Sequence, residues 1–163
     1  MTAKIISGIE IAREIRKQVA ADVKELKQDG ITPGLMCVLV GDDPASISYV
    51  AGKSKACEEV GIYQETIRLA SETTEEELVR LIEEYNRDVR FHGILVQLPL
   101  PKHINEAKVL RTVLPEKDVD GFHPANVGKL LLGEPDFLPC TPHGVQQLLL
   151  RSGYDPGGKH VVI

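Results

Sequence analysis

The stretch "GLMCVLVGDDPASISYVAGKSKACEEVGI", residues Gly34 to Ile62, decides the fold. Its first part, Gly34 to Gly41, is a continuous apolar run bounded by glycines and too short for a helix, which marks a strand buried on both faces, as in a parallel sheet. A helix follows. Asp43 can serve as its N-cap, Pro44 suits the first helical position because its φ is fixed and its N–H is missing, and Gly61 supplies the stop. Advancing about 100° per residue from Tyr49, residues Val60, Lys53, Cys57 and Val50 fall in one arc, while Ser48, Lys55, Glu58 and Glu59 fall opposite. Tyr49 and Lys53 are thereby expected on a buried face, and Lys55 in solvent.

Outward from this core the pattern repeats. Ile11, Ile15, Val19, Val23 and Leu26 recur at helical spacing between Glu10 and Gln28, and a short strand at Lys4 to Ser7 is expected before them. "IYQETIRLA" after Gly61 reads as a strand. In "SETTEEELVRLIEEYNRD" Thr73 and Glu76 supply capping-box chemistry for a helix with Leu78, Leu81, Ile82 and Tyr85 on one stripe. "FHGILVQLPLP" returns to a buried strand, Gly93 to Leu98, ended by Pro99 and Pro101. "NEAKVLRTVL" is a shorter helix capped by Asn105. Residues Pro115 to Pro142 are rich in Pro, Gly and Asp and are expected to be a long irregular segment, the kind that carries function. "PHGVQQLLLRSG" is a helix and "GKHVVI" a closing buried-type strand. The alternation implies an α/β fold, a mainly parallel sheet with flanking helices and right-handed crossovers. Residues 1 to 140 read as one domain and its linker loop, and residues 141 to 163 as the connecting helix and first strand of a truncated Rossmann-type domain, so a longer parent protein is expected.

Composition narrows the classes. The 163 residues carry a net charge of -5 with basic residues dispersed among acidic ones, which gives no electrostatic footprint for nucleic acid or an anionic membrane. No apolar run approaches the roughly 18 residues of a membrane span, and no hydrophobic signal segment opens the chain, so a cytoplasmic location is the default. Cys37, Cys57 and Cys140 are an odd number without paired spacing, which argues against a disulfide framework and a zinc site. Cys37 and Cys57 are most simply core residues. The five histidines show no metal-ligand spacing, and no metal is expected.

In open α/β sheets ligands bind outside the carboxyl ends of the strands. Lys53 on the helix after the first strand, Gln97 at the end of "GILVQ", and the "KDVDG" loop are expected to meet there. Gln97 interrupts an apolar run, and a buried amide needs partners. Each residue also has a bland reading. Lys53 can lay its stem on the core with its head in water, Gln97 can bond loop backbone, and Asp118 and Asp120 can serve turn chemistry with Gly121. Together, however, Tyr49, Lys53, Gln97 and Asp120 form a ring hydroxyl, an amine, an amide and a carboxylate beside Leu98 and Leu100. Burial there would favour a neutral lysine able to act as a base.

In order and spacing, "GDDPASISYVAGKSKACEEVGI", "GILVQLPLP", "PEKDVDGFHPANVGKLLLG" and "PCTPHG" resemble the bifunctional methylenetetrahydrofolate dehydrogenase/cyclohydrolase family across essentially the whole chain. The resemblance implies an enzyme of one-carbon metabolism, serving purine biosynthesis, that oxidises methylenetetrahydrofolate to methenyltetrahydrofolate with NADP and hydrolyses it to formyltetrahydrofolate. It implies that Tyr49 stacks on the folate and Lys53 is the catalytic lysine. It also implies that Gln97 bonds and tunes Lys53, that Asp120 binds the pterin, and that Val96 and Leu98 contribute to the cleft. A homodimer in the cytoplasm is implied as well. The family's Gly-Arg-Ser turn and the rest of its dinucleotide domain have no counterpart in the chain, so no cofactor-binding residue is expected within it. Two alternatives stay open: a folate-binding module inactive as a dehydrogenase, and another two-domain dehydrogenase of the shikimate dehydrogenase kind.

Overall fold

The computed structural model describes residues 5 to 162. Helix α1 (Gly8–Gln28) leads into β1 (Gly34–Val40), α2 (Pro44–Val60), β2 (Tyr63–Leu69), α3 (Glu75–Arg87), β3 (Gly93–Val96) and α4 (Glu106–Thr112). A 3-10 turn (Pro115–Lys117), α5 (Pro124–Leu132) and α6 (Cys140–Arg151) complete the order. The three strands form one parallel sheet in the order β2-β1-β3, with Leu35 opposite Gln64 on one side and Gly93 on the other. The expected α/β architecture is present.

β1 is central, and its alternate side chains feed two cores. Met36, Val38 and Val40 pack with Leu78 and Ile82 of α3, Ile94 and Val96 of β3, and Val109 of α4. Cys37 and Leu39 pack on the other face with Val50 of α2 and Leu95. Burying a side chain of this size contributes about 1.5–3 kcal/mol, so a strand with no solvent face anchors both layers.

The helix boundaries follow the expected chemistry with some shifts. Asp43 caps α2 by accepting from Ser46 N at 2.7 Å, and Gly61 at φ 84° ends it in the left-handed region that suits glycine. The capping box of α3 is Thr74 with Glu77, one residue later than Thr73 and Glu76, because Thr74 has the extended backbone an N-cap needs. Strand β3 stops at Val96, two residues short of the expected Leu98. Gln97 N still donates to Val38 O, but Pro99, joined to Leu98 by a cis bond, has no N–H to extend the ladder.

Three expectations fail. Ile5 to Ser7 form no strand, since Ser7 is spent as the N-cap of α1, accepting from Glu10 N; Lys4 lies outside the described residues. Residues 115 to 142 are not irregular throughout. Pro124 opens α5 behind His123, whose ring nitrogen accepts from Ala125 N, Gly133 closes it, and α6 already starts at Cys140. The closing strand is absent among the described residues: Val161 and Val162 are exposed and pair with nothing there, and Ile163 lies outside them. Helix α6 rests on α1, where Arg151 donates to Gln18 at 3.2 Å.

Candidate active site

Lys53 lies in the third turn of α2, roughly 14 Å along the helix from Pro44, and α2 runs back toward the amino ends of the strands. The lysine is therefore carried over the middle of the sheet. Helical side chains lean toward the helix N-terminus, here toward the carboxyl end of β3, and Lys53 Nζ donates to Gln97 Oε1 at 2.9 Å. Gln97 reaches this position because β3 alternates: Ile94 and Val96 face the α3 side, while Leu95 and Gln97 face α2. Its Nε2 donates to Leu98 O at 2.7 Å, so both ends of the amide are satisfied. Gln97 thus has the loop-backbone bond of its bland reading and the lysine bond of the functional one.

The carboxylate comes from the loop after the 3-10 turn. Lys117 donates to Tyr85 O and Asp88 O at the carboxyl end of α3, at 3.0 and 2.9 Å, which ties the loop to that helix. Desolvation lowers the Lys117 pKa. Asp118 makes an isolated bridge to Ile94, and Val119 lies over Gly93, where only a glycine leaves room. Asp120 then enters a cleft of about 440 Å³ shared with Lys53, Cys57, Leu95, Val119 and Cys140. Burial raises its pKa above the ordinary carboxylate value; the Lys53 charge opposes that shift and Asp118 adds to it. Cys140 Sγ lies 4.0 Å from Asp120 Oδ1 and donates to Val119 O at 3.8 Å. Its thiol is pushed up by burial and by Asp120, and deeper burial lifts Cys37 to about 11.

Asp118 proves to be an internal strut. Only 5% exposed, it accepts from His123 N at 2.7 Å and from Asn126 Nδ2 at 2.9 Å. Asn126 also donates to Pro115 O at 2.9 Å, while its buried Oδ1 has no partner among the described residues. An unmet buried acceptor costs about 1–3 kcal/mol. Nothing in the spacing of Asn126 at the start of α5 announced this, because the segment read as irregular.

The structure moves three expected site residues. Tyr49 is 68% exposed: the buried positions of α2 are Ser46, Val50, Cys57 and Val60, whose arc centres about 65° away from Tyr49. It flanks Lys53 in an open depression with Ser48 and Gly52. Val96 and Leu98 pack into the α3-side core, so their side chains are turned from the cleft and only Leu98 O reaches the site. The cleft itself runs from Lys53 toward Gly34, His92 and Gly93 at the amino ends of the strands, not outside their carboxyl ends alone. Among the described residues no three His, Cys, Asp or Glu side chains are grouped to hold a metal ion, and no helix is long and apolar enough to cross a membrane.

A parallel α/β layer with an amine, an amide and a carboxylate converging on one sheet face defines a ligand-binding or catalytic α/β domain. The chain belongs to the tetrahydrofolate dehydrogenase/cyclohydrolase family, whose catalytic-domain model matches residues 6–120. Bifunctional protein FolD of Bacillus pumilus is 58% identical over 163 residues, all of this chain and 58% of that protein, and the Bacillus subtilis protein of that name agrees to the same extent. The crystal structure of the bifunctional FolD dehydrogenase/cyclohydrolase from Campylobacter jejuni superposes with a TM-score of 0.91 at 46% identity, covering 93% of this chain and 54% of that one. The Trypanosoma brucei enzyme, complexed with NADP cofactor and inhibitor, superposes at 0.93 with 36% identity over 98% of this chain and 55% of its own. The chain thus spans a little over half the length of these relatives.

Proposed function

We propose that the protein carrying this chain is a bifunctional enzyme of one-carbon folate metabolism. It oxidises methylenetetrahydrofolate to methenyltetrahydrofolate and hydrolyses that product to formyltetrahydrofolate, and this chain supplies the folate side. The observation that carries the reading is the Lys53–Gln97 bond at 2.9 Å in a chain of this family, with Asp120 in the adjoining cleft. Family membership disfavours the shikimate dehydrogenase alternative.

Asp120 accepts from the adjacent N–H donors of the pterin, and charge-assisted bonds of that kind are about twice as strong as neutral ones. Tyr49, exposed beside Lys53, has a free ring face for the rest of the folate. In hydrolysis Lys53 takes a proton from water as the water oxygen bonds the methenyl carbon. The hydroxyl adduct then gives its O–H proton to solvent water as the carbonyl forms, one C–N bond breaks, and the departing nitrogen takes back the proton held by the Lys53 ammonium, so that one proton is released overall. Gln97 holds Nζ at the reacting carbon, a geometry that accounts for much of such catalysis.

NADP is the hydride acceptor in this reading, in keeping with the Trypanosoma brucei complex. The residues present do not fit it. Gly153 and Gly158 adopt positive φ, but no described helix starts after them, and a phosphate cradle needs a glycine turn that opens a helix. The cofactor belongs to sequence beyond this chain, with residues 1 to 140 the folate domain and linker and 141 to 163 the approach to a dinucleotide domain. A cytoplasmic homodimer is part of the same reading.

Lys53→Met tests it in the full-length protein. Loss of methenyl hydrolysis by at least a hundredfold, with reduced-folate binding kept within threefold, is expected. Hydrolysis at the unsubstituted rate would remove Lys53 as the base.

A further inference from the structure

Among the described residues the Asp120 carboxylate accepts only the long, weak contact from Cys140 Sγ at 4.0 Å, so its position in the cleft is set chiefly by the backbone on either side of it. Two residues before it, Asp118 is held by the His123 N–H and by the Asn126 amide. That amide also holds Pro115 O, which starts the turn from which the loop leaves. Both partners of Asn126 Nδ2 are acceptors, a carboxylate and a carbonyl, so the opposite orientation would aim an oxygen at two oxygens. The amide is therefore fixed, although its own oxygen is left buried and unpartnered. Asn126 is 1% exposed and lies at the first turn of α5, which joins the turn before the loop and the helix after it through one side chain.

From this juxtaposition we infer that Asn126 is a positioning residue for Asp120, acting through Asp118 and Pro115; the inference rests on the reading of Asp120 as the pterin carboxylate. Without the two donated bonds, the segment from Pro115 to Asp118 has one clamp fewer, and Asp120 no longer presents its carboxylate at a fixed distance from Lys53. Asn126 touches no ligand itself. It acts on affinity only while Asp120 is there to be positioned, which separates it from a residue that merely stabilises the fold.

The experiment is a double-mutant cycle on the dissociation constant of 5-formyltetrahydrofolate, a stable reduced folate, in the full-length protein at a temperature where every variant is folded. Asn126→Ala is expected to raise the constant tenfold or more when Asp120 is present, and less than twofold in the Asp120→Ala background. Asn126→Ser, which removes the amide with a smaller change in polarity, is read in the same cycle should the alanine variant fail to fold. An equal rise in both backgrounds, or no rise beside Asp120, overturns the positioning role while leaving the folate reading in place. No effect of Asp120→Ala itself overturns both.

Discussion

Gly93 and Val119 meet so closely that a Cβ on the glycine would lie 2.4 Å from Val119 Cγ1. The bare Cα of β3 is what lets the loop bearing Asp120 settle on the strand. Gly93→Ala would therefore lift Val119 or splay the loop. A stability loss of about 1–3 kcal/mol, the usual cost of overpacking, is expected in thermal unfolding, with reduced-folate affinity falling at least fivefold. Unchanged affinity would show that the loop reaches the cleft without this contact.

Gln97→Leu keeps the volume and removes the amide. Lys53 Nζ and Leu98 O each lose a hydrogen-bond partner, at about 0.5–1.5 kcal/mol apiece. If Gln97 orients Lys53 as proposed, the hydrolysis rate is expected to fall tenfold or more while the Michaelis constant moves less than threefold. Steady-state kinetics with methenyltetrahydrofolate separate the two, and a change confined to the Michaelis constant would place Gln97 on the substrate instead.

Asp120 gives a pH signature whose sign follows from its raised pKa. A carboxyl with a raised folded-state pKa holds its proton longer than the unfolded chain does, so its contribution to stability is full below the ordinary aspartate range and is lost as pH rises through the elevated value. At neutral pH the charged, desolvated carboxylate is a cost, and Asp120→Asn is expected to raise the melting temperature. In the proposed folate complex the same ionisation is needed for Asp120 to accept from the pterin donors. Reduced-folate affinity should therefore weaken as pH falls through that elevated value, earlier than an ordinary aspartate would dictate, and titration calorimetry against pH measures it. A flat profile in the Asp120→Asn variant is the matching control.

The sheet was legible because its signals are local. "GLMCVLVG" is apolar throughout, and both of its faces are buried against helices that the 3.6-residue period had marked. The Lys53–Gln97 contact was legible for a different reason, since a lone amide in an apolar strand and a lysine within the buried arc of a helix are each anomalies that a partner resolves. Tyr49 was misplaced because a helix face has an edge, and a residue at that edge takes its burial from neighbours that spacing does not name. The Asn126 clamp was invisible for a stronger reason. Its partners, Pro115 and Asp118, are 11 and 8 residues away in a segment without periodicity, so only the folded chain brings them together.

Cys140 offers a check on the cleft that needs no turnover. Cys37 and Cys57 are buried and Cys140 is exposed, so one thiol of three is expected to react with a thiol-specific disulfide reagent before unfolding. Because its pKa is raised by burial and by Asp120, little thiolate is present at pH 7, and the labelling rate should climb with pH past the ordinary thiol value of 9.0. Replacing Asp120 by Asn removes one of the two causes and should speed labelling at pH 7 to 8. Saturating reduced folate, by filling the cleft that Cys140 shares with Asp120 and Lys53, should slow it at least tenfold. Labelling that is indifferent to folate would place the ligand elsewhere on the sheet face.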